Sequence, residues 1–124
     1  MGFFSDLKTA TKNAADRADQ GVETQKLKSE ISSLNSDTNR AYSEIGELYY
    51  KNVKDPDADF ASKSMELVNR IDSNFAKIEE LNKKIEEVIA EHEANRENNR
   101  AEQAAEDERK KAEREAAQAA EKKE

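Results

Sequence analysis

From Leu27 onward the apolar side chains recur in alternating steps of four and three, at Leu27, Ile31, Leu34, Ala41, Ile45 and Leu48, with Thr38 the one polar member of the series. That alternation is the heptad seam of a coiled-coil helix. It stops, then resumes as Leu67, Ile71, Ile78, Leu81, Ile85 and Val88, again with one polar member, Asn74. Between the two series stands Lys54-Asp55-Pro56-Asp57. A proline inside one continuous helix would remove a backbone hydrogen bond and clash with the preceding turn, at a cost of about 3 kcal/mol. The spacing therefore predicts two helices with a turn at residues 54–57, a kinked single helix being the alternative. Asp55 is expected to cap the second helix, Pro56 to take its first position, and Asp57 and Asp59 to complement the positive end of its dipole.

A reversal at Asp55-Pro56 sets opposite one another residues whose numbers sum to about 112. Ile45 then faces Leu67, Ala41 faces Ile71, Leu34 faces Ile78, Ile31 faces Leu81, Leu27 faces Ile85, and Leu48 meets Ser64. The same rule sets Thr38 against Asn74, so the two polar seam positions form one layer, where a shifted register would bury each against hydrocarbon. Such a layer either fixes the register at some cost in stability or simply stays wet in so thin a seam.

A second line of large side chains runs beside the seam. Tyr42 and Tyr49 each follow a seam residue on the first helix, and Val68, Phe75 and Ile89 do so on the second. In an antiparallel pair these positions flank the same side, which predicts an apolar edge at Tyr42, Tyr49, Val68 and Phe75. Fully burying such side chains stabilises by about 1.5–3 kcal/mol each, and two helices alone cannot cover them. The expected occupant is a second copy of the chain or a partner helix.

Residues 1–21 read as a weak amphipathic helix, with Phe3, Phe4, Leu7, Ala14 and Ala18 on one side and Asp6, Lys8, Lys12, Asp16, Arg17 and Asp19 elsewhere. Gly21 costs about 1 kcal/mol relative to Ala in a helix interior, so this segment either continues the first helix or folds back. Folding back would bring Phe3 and Phe4 roughly level with residue 39 and make a three-helix arrangement. Residues 22–92 form the hairpin. Beyond Ile89 no Leu, Ile, Val, Phe or Tyr occurs, and residues 93–124 are a charged low-complexity tail with no core-forming side. Its pairs Glu106 with Lys110, Asp107 with Lys111 and Lys111 with Glu115 have helical spacing, each contributing about 0.2–0.5 kcal/mol, which favours a solvated helix over disorder. The fold class expected is all-α.

Composition narrows what such a chain does. With 40% charged residues, 35% hydrophobic residues and a mean hydropathy of -1.12, there is little material for a globular core, and three Gly and one Pro suit long helices. A net charge of -7 argues against a phosphate backbone as partner, so no nucleic acid is expected. The absence of cysteine excludes a disulfide framework and thiolate metal sites. Phe3-Phe4 is followed at once by polar and charged residues, so neither a secretory signal nor a membrane span is expected. The opening Met1-Gly2 also misses the myristoylation pattern, because the hydroxyl residue stands at position 5 and not at 6.

No catalytic residue, cofactor site, metal site or small-molecule substrate is expected. The carboxylates lie on helical surface without an apolar pocket to separate their pKa values. The single histidine, His92 in Glu91-His92-Glu93, reads as a surface residue, since adjacent helical positions point in different directions and no second ligand set is visible. No serine sits in a nucleophile elbow and no glycine builds a phosphate loop.

Three motifs together, Met1-Gly2-Phe3-Phe4-Ser5-Asp6-Leu7-Lys8, Glu44-Ile45-Gly46-Glu47-Leu48-Tyr49-Tyr50 and Asp55-Pro56-Asp57-Ala58-Asp59-Phe60, resemble small bacterial proteins in which a helical coiled-coil region precedes a C-terminal zinc ribbon. The resemblance covers roughly residues 1–90. It implies a helical scaffold in a bacterial cytoplasm and transfers no catalytic residue. The chain departs from that pattern where paired Cys-x-x-Cys ligands would stand, because the charged tail takes their place, and so no zinc-dependent role carries over. A looser similarity to membrane-remodelling hairpin proteins of the phage-shock type rests on the Met-Gly-aromatic start and the long hairpin. Two functions follow as expectations: a non-enzymatic, self-associating coiled-coil scaffold, or a hairpin peripheral to the inner face of the membrane, held through residues 2–8 by Phe3, Phe4 and Leu7. The second is weakened by neighbouring charges that nearly cancel, since stable anchoring usually takes an added basic patch.

Overall fold

The computed structural model describes residues 2–123, which form two long α-helices packed against each other as a hairpin, α1 (Gly2–Lys54) and α2 (Phe60–Lys123). Among the described residues there is no strand. The all-α hairpin expected from the paired seams is the fold found. Gly21 lies inside α1 with an ordinary negative φ, so the N-terminal segment continues the first helix and does not fold back as a third one. One glycine's propensity cost is local, whereas breaking the helix there would forfeit a run of backbone hydrogen bonds on both sides.

The reversal is centred on Pro56, but α2 is capped later than the sequence suggested. Asp55 N–H donates to Lys51 C=O at 2.8 Å, so Asp55 closes the last turn of α1 and does not cap α2. Pro56 stands between the helices, outside the first turn of α2. The cap is Asp57: its Oδ1 accepts the Asp59 N–H at 2.8 Å, its C=O accepts the Phe60 N–H at 3.1 Å, and its Oδ2 accepts from Lys63 Nζ at 2.8 Å. Asn52 Oδ1, at the end of α1, accepts the Asp57 N–H at 2.8 Å and so ties the cap to the first helix. A residue before proline is pushed towards extended backbone. The chain must then spend two more residues reversing before an aspartate can reach the free amides of the new helix. Lys51 and Lys54 complement the negative end of α1.

The hairpin divides into two compact units: Thr24–Glu87, which contains the turn, and a unit made of the residues up to Glu23 together with those from Val88 onward. In the turn-proximal unit Ala41, Ile71 and Leu81 are buried, and Leu27, Ile31, Leu34, Ile45, Leu48, Leu67, Ile78 and Ile85 are half-buried around them. Each facing pair sums to 112, the number that makes Pro56 the midpoint. Steps alternate strictly between three and four, a 3.5-residue period.

In the other unit the residues turned inward are Ser5, Thr9, Asn13, Asp16 and Gln20 on α1, and Val88, His92, Arg96, Asn99, Gln103 and Asp107 on α2. Here the steps run three, four, four, an 11-residue repeat of 3.67 residues per turn. The sum of 112 again relates Asn13 to Asn99, Asp16 to Arg96 and Gln20 to His92. Val88 and Ile89 apart, its inward positions carry polar side chains. The expectation that residues from 93 onward have no packed side is therefore corrected as far as Asp107, beyond which the described side chains are exposed.

Candidate functional site

Two places in the hairpin carry more than a helical pair requires: the two flanks of the seam in the turn-proximal unit, and the polar interior of the other unit. The flanks differ in chemistry because of which seam neighbour each residue is. Asp37 and Glu44 precede seam residues on α1, and Arg70 precedes one on α2; in an antiparallel pair these positions share one flank. Arg70 Nε donates to Asp37 Oδ2 at 2.8 Å, its second terminal nitrogen lies 2.5 Å from Asp37 Oδ1, and a third contact reaches Glu44 at 3.8 Å. This planar fork fixes the two helices axially as well as laterally. Hydrogen bonds from Arg70, and after them from Asn74, hold the Asp37 carboxyl far below the usual carboxylate range.

Asn74 joins that flank to the interior. Its Nδ2 donates to Asp37 Oδ2 at 2.8 Å and lies 3.2 Å from Thr38 Oγ1, with Thr38 and Asn74 both buried. The two polar seam positions thus meet in one layer, and Asp37 is a third member that apolar periodicity could not reveal.

The opposite flank holds the positions that follow seam residues, Tyr42 and Tyr49 on α1 and Val68 and Phe75 on α2. They stay 52%, 63%, 40% and 48% exposed, and among the described residues no aromatic ring pair forms on this flank. Projected onto α1 by the sum of 112, Val68 and Phe75 fall level with residues 44 and 37. The four side chains therefore lie at levels 37, 42, 44 and 49 of α1, a spacing symmetric about level 43 and about 18 Å long.

In the other unit the interior is a network. His92, 9% exposed, lies with Nδ1 2.7 Å from Asp16 Oδ1 and Nε2 3.1 Å from Glu23 Oε2. Arg96, equally buried, donates from one terminal nitrogen to Asp16 Oδ2 at 3.0 Å and to Gln20 Oε1 at 2.7 Å. Asn99 Nδ2 donates to Asn13 Oδ1 at 3.0 Å, and Gln103 bonds Asp6. The reading of His92 as a surface residue is thus corrected: two α1 carboxylates four and three residues from Gln20 close over it. Hydrogen bonds to Asp16 and then to Glu23 raise the His92 pKa above 6.5, against the opposing effect of burial. Burial acts to raise the Asp16 pKa, but hydrogen bonds and charge from His92 and Arg96 outweigh it and leave the carboxyl below its ordinary value.

His92, Asp16, Glu23 and Arg96 escaped the apolar periodicity because none of them is apolar. The usable signal was complementarity across the register: Asp16 with Arg96 and Asn13 with Asn99 sum to 112 and are chemically matched. At the start of α1, Phe3, Phe4 and Leu7 are 70%, 75% and 55% exposed, and the two phenyl rings meet edge to face with centroids 5.6 Å apart. Among the described residues no cluster of His, Cys, Asp and Glu has the geometry of a metal site, and no helix is long and apolar enough to cross a membrane. Comparison of the chain with family models, with curated proteins and with solved structures found no match.

Proposed function

We propose that this protein is a non-enzymatic helical scaffold that associates with a second copy of itself through the apolar flank at Tyr42, Tyr49, Val68 and Phe75. The observation that carries this reading is the asymmetry of the turn-proximal unit. One flank satisfies its charges internally through Asp37, Arg70 and Glu44, while the other leaves four large apolar side chains to solvent. Their levels on α1 are symmetric about level 43, so a second copy laid antiparallel on the same flank brings each Tyr49 level with a Phe75 and each Tyr42 level with a Val68. Such a two-fold contact uses one patch twice and closes on itself. Four helices around a shared apolar layer are an ordinary bundle.

The test is sedimentation over a dilution series together with the double variant Tyr49→Ser and Phe75→Ser. Losing two such contacts on each copy is expected to weaken self-association at least about a hundredfold, with helicity retained. A wild-type chain that sediments as a monomer at every concentration would remove the proposal.

The exposed Phe3–Phe4 pair and Leu7 favour a second reading, attachment to a membrane surface with the hairpin as a spacer. Flotation with anionic vesicles decides it: the full chain is expected to float and a version lacking residues 1–8 to stay behind. Equal recovery of both in the soluble fraction refutes it.

A further inference from the structure

The unit formed by the two ends of the chain is held by a network in which one titratable side chain is central. His92 is the single histidine of the chain, and both its ring nitrogens face carboxylates of α1, Asp16 at 2.7 Å and Glu23 at 3.1 Å. A carboxylate can only accept, so both contacts are hydrogen bonds only while both ring nitrogens carry protons. Once the imidazole loses one, a lone pair faces a carboxylate and one of His92's two links to α1 becomes repulsive, leaving the links from Arg96, Asn99 and Gln103. Apart from Val88 and Ile89, no large apolar side chain among this unit's inward positions replaces the lost link. We propose that His92, Asp16 and Glu23 form a pH-dependent clasp that closes the two helices of this unit on each other when His92 is doubly protonated and lets them part when it is neutral.

The charges around His92 are consistent with that role. α1 presents Asp16 and Glu23, and α2 presents Arg96, which shares Asp16; Asp19, Glu91 and Glu93 are exposed to solvent. With the imidazolium in place, two buried cations meet two anions, of which Asp16 is largely buried and Glu23 is half exposed. Without it, Asp16 keeps Arg96 as its partner, while the buried ring turns a lone pair towards one of the two carboxylates. The raised His92 pKa sets the direction: the folded state holds the proton more tightly than the unfolded one. The clasp's contribution is thus complete below pH 6.5 and is lost as pH rises through the folded value. At the acid side Asp16, held below its ordinary pKa, keeps its charge until well into the carboxylate range.

The absence of cysteine makes the experiment direct. Spin labels at Ala10→Cys and Glu102→Cys report the separation of α1 and α2 in this unit, and labels at Ser33→Cys and Glu79→Cys do the same for the turn-proximal unit. All four positions are exposed and each pair sums to 112. Between pH 5.5 and 9 the first pair is expected to pass from a narrow to a broad distance distribution, with a midpoint above 6.5. The open fraction should grow by up to about tenfold per pH unit inside that window. The control pair should stay narrow, and His92→Gln should abolish the pH dependence of the first pair. A first pair whose distribution does not change over this range, an equal change in both pairs, or the same transition in the glutamine variant would each overturn the proposal.

Discussion

Among single residues, Asn74 carries the most consequence for register, because it bonds both the interior hydroxyl of Thr38 and the flank carboxylate of Asp37. Sliding one helix by a heptad in either direction would set Thr38 against a leucine and Asn74 against an isoleucine and separate these three groups. Asn74→Leu should therefore cost about 1–3 kcal/mol, since it strands the Thr38 hydroxyl against hydrocarbon and strips Asp37 of a donor. Adding Thr38→Val should recover most of that loss, because replacing both partners removes the unsatisfied group. Urea denaturation of the two single variants and the double variant measures the coupling; strictly additive costs would mean that the layer is wet and sets nothing.

At the scale of the element, α1 runs unbroken through Gly21 and Gly46 because the opposite helix holds its inward positions along its length. A methyl group added at Gly46 would meet nothing within 4 Å, and the residue has ordinary helical backbone. Gly46→Ala is accordingly expected to stabilise the hairpin by about 0.5–1 kcal/mol through the unfolded chain's lost freedom, raising the denaturation midpoint at unchanged m value. A destabilised variant would point to a contact on that surface of α1 that the hairpin alone does not make. The turn teaches the same lesson about elements. Pro56 marks where a helix must stop, but the start of the next is set by which aspartate reaches free amides, and Asp57 does so because Asn52 and Lys63 hold it in place.

Across the whole molecule the two units rest on different physics. Between Thr24 and Glu87 the seam, apart from the Thr38–Asn74 layer, is built on Leu, Ile and Ala, whose burial is insensitive to pH and weakly sensitive to salt. In the other unit charged and amide side chains fill the same inward positions. Their net contribution is small, because desolvation offsets most of what pairing gains. Hydrogen exchange near neutral pH should therefore show backbone amides of residues 27–48 and 67–85 exchanging at least about tenfold more slowly than those of residues 5–20 and 92–107. Uniform protection across both sets would mean that the polar interior is as stabilising as the apolar one.

The sequence alone determined the class, the two helices, the centre of reversal at Pro56 and the register, because apolar side chains at a 3.5-residue period make one seam on each helix and the Thr38–Asn74 layer selects how the seams meet. It also determined the apolar flank, since a tyrosine that follows a seam residue must emerge beside the seam. Only the tertiary structure decided that Asp57 caps α2, that α1 is continuous, that Asp16, His92 and Arg96 are interior and that Glu23 reaches His92 from the surface. A polar side chain spaced at 3.67 residues looks like solvated surface until a complementary partner faces it. For Asp16 and His92 that partner lies 76 residues away along the chain.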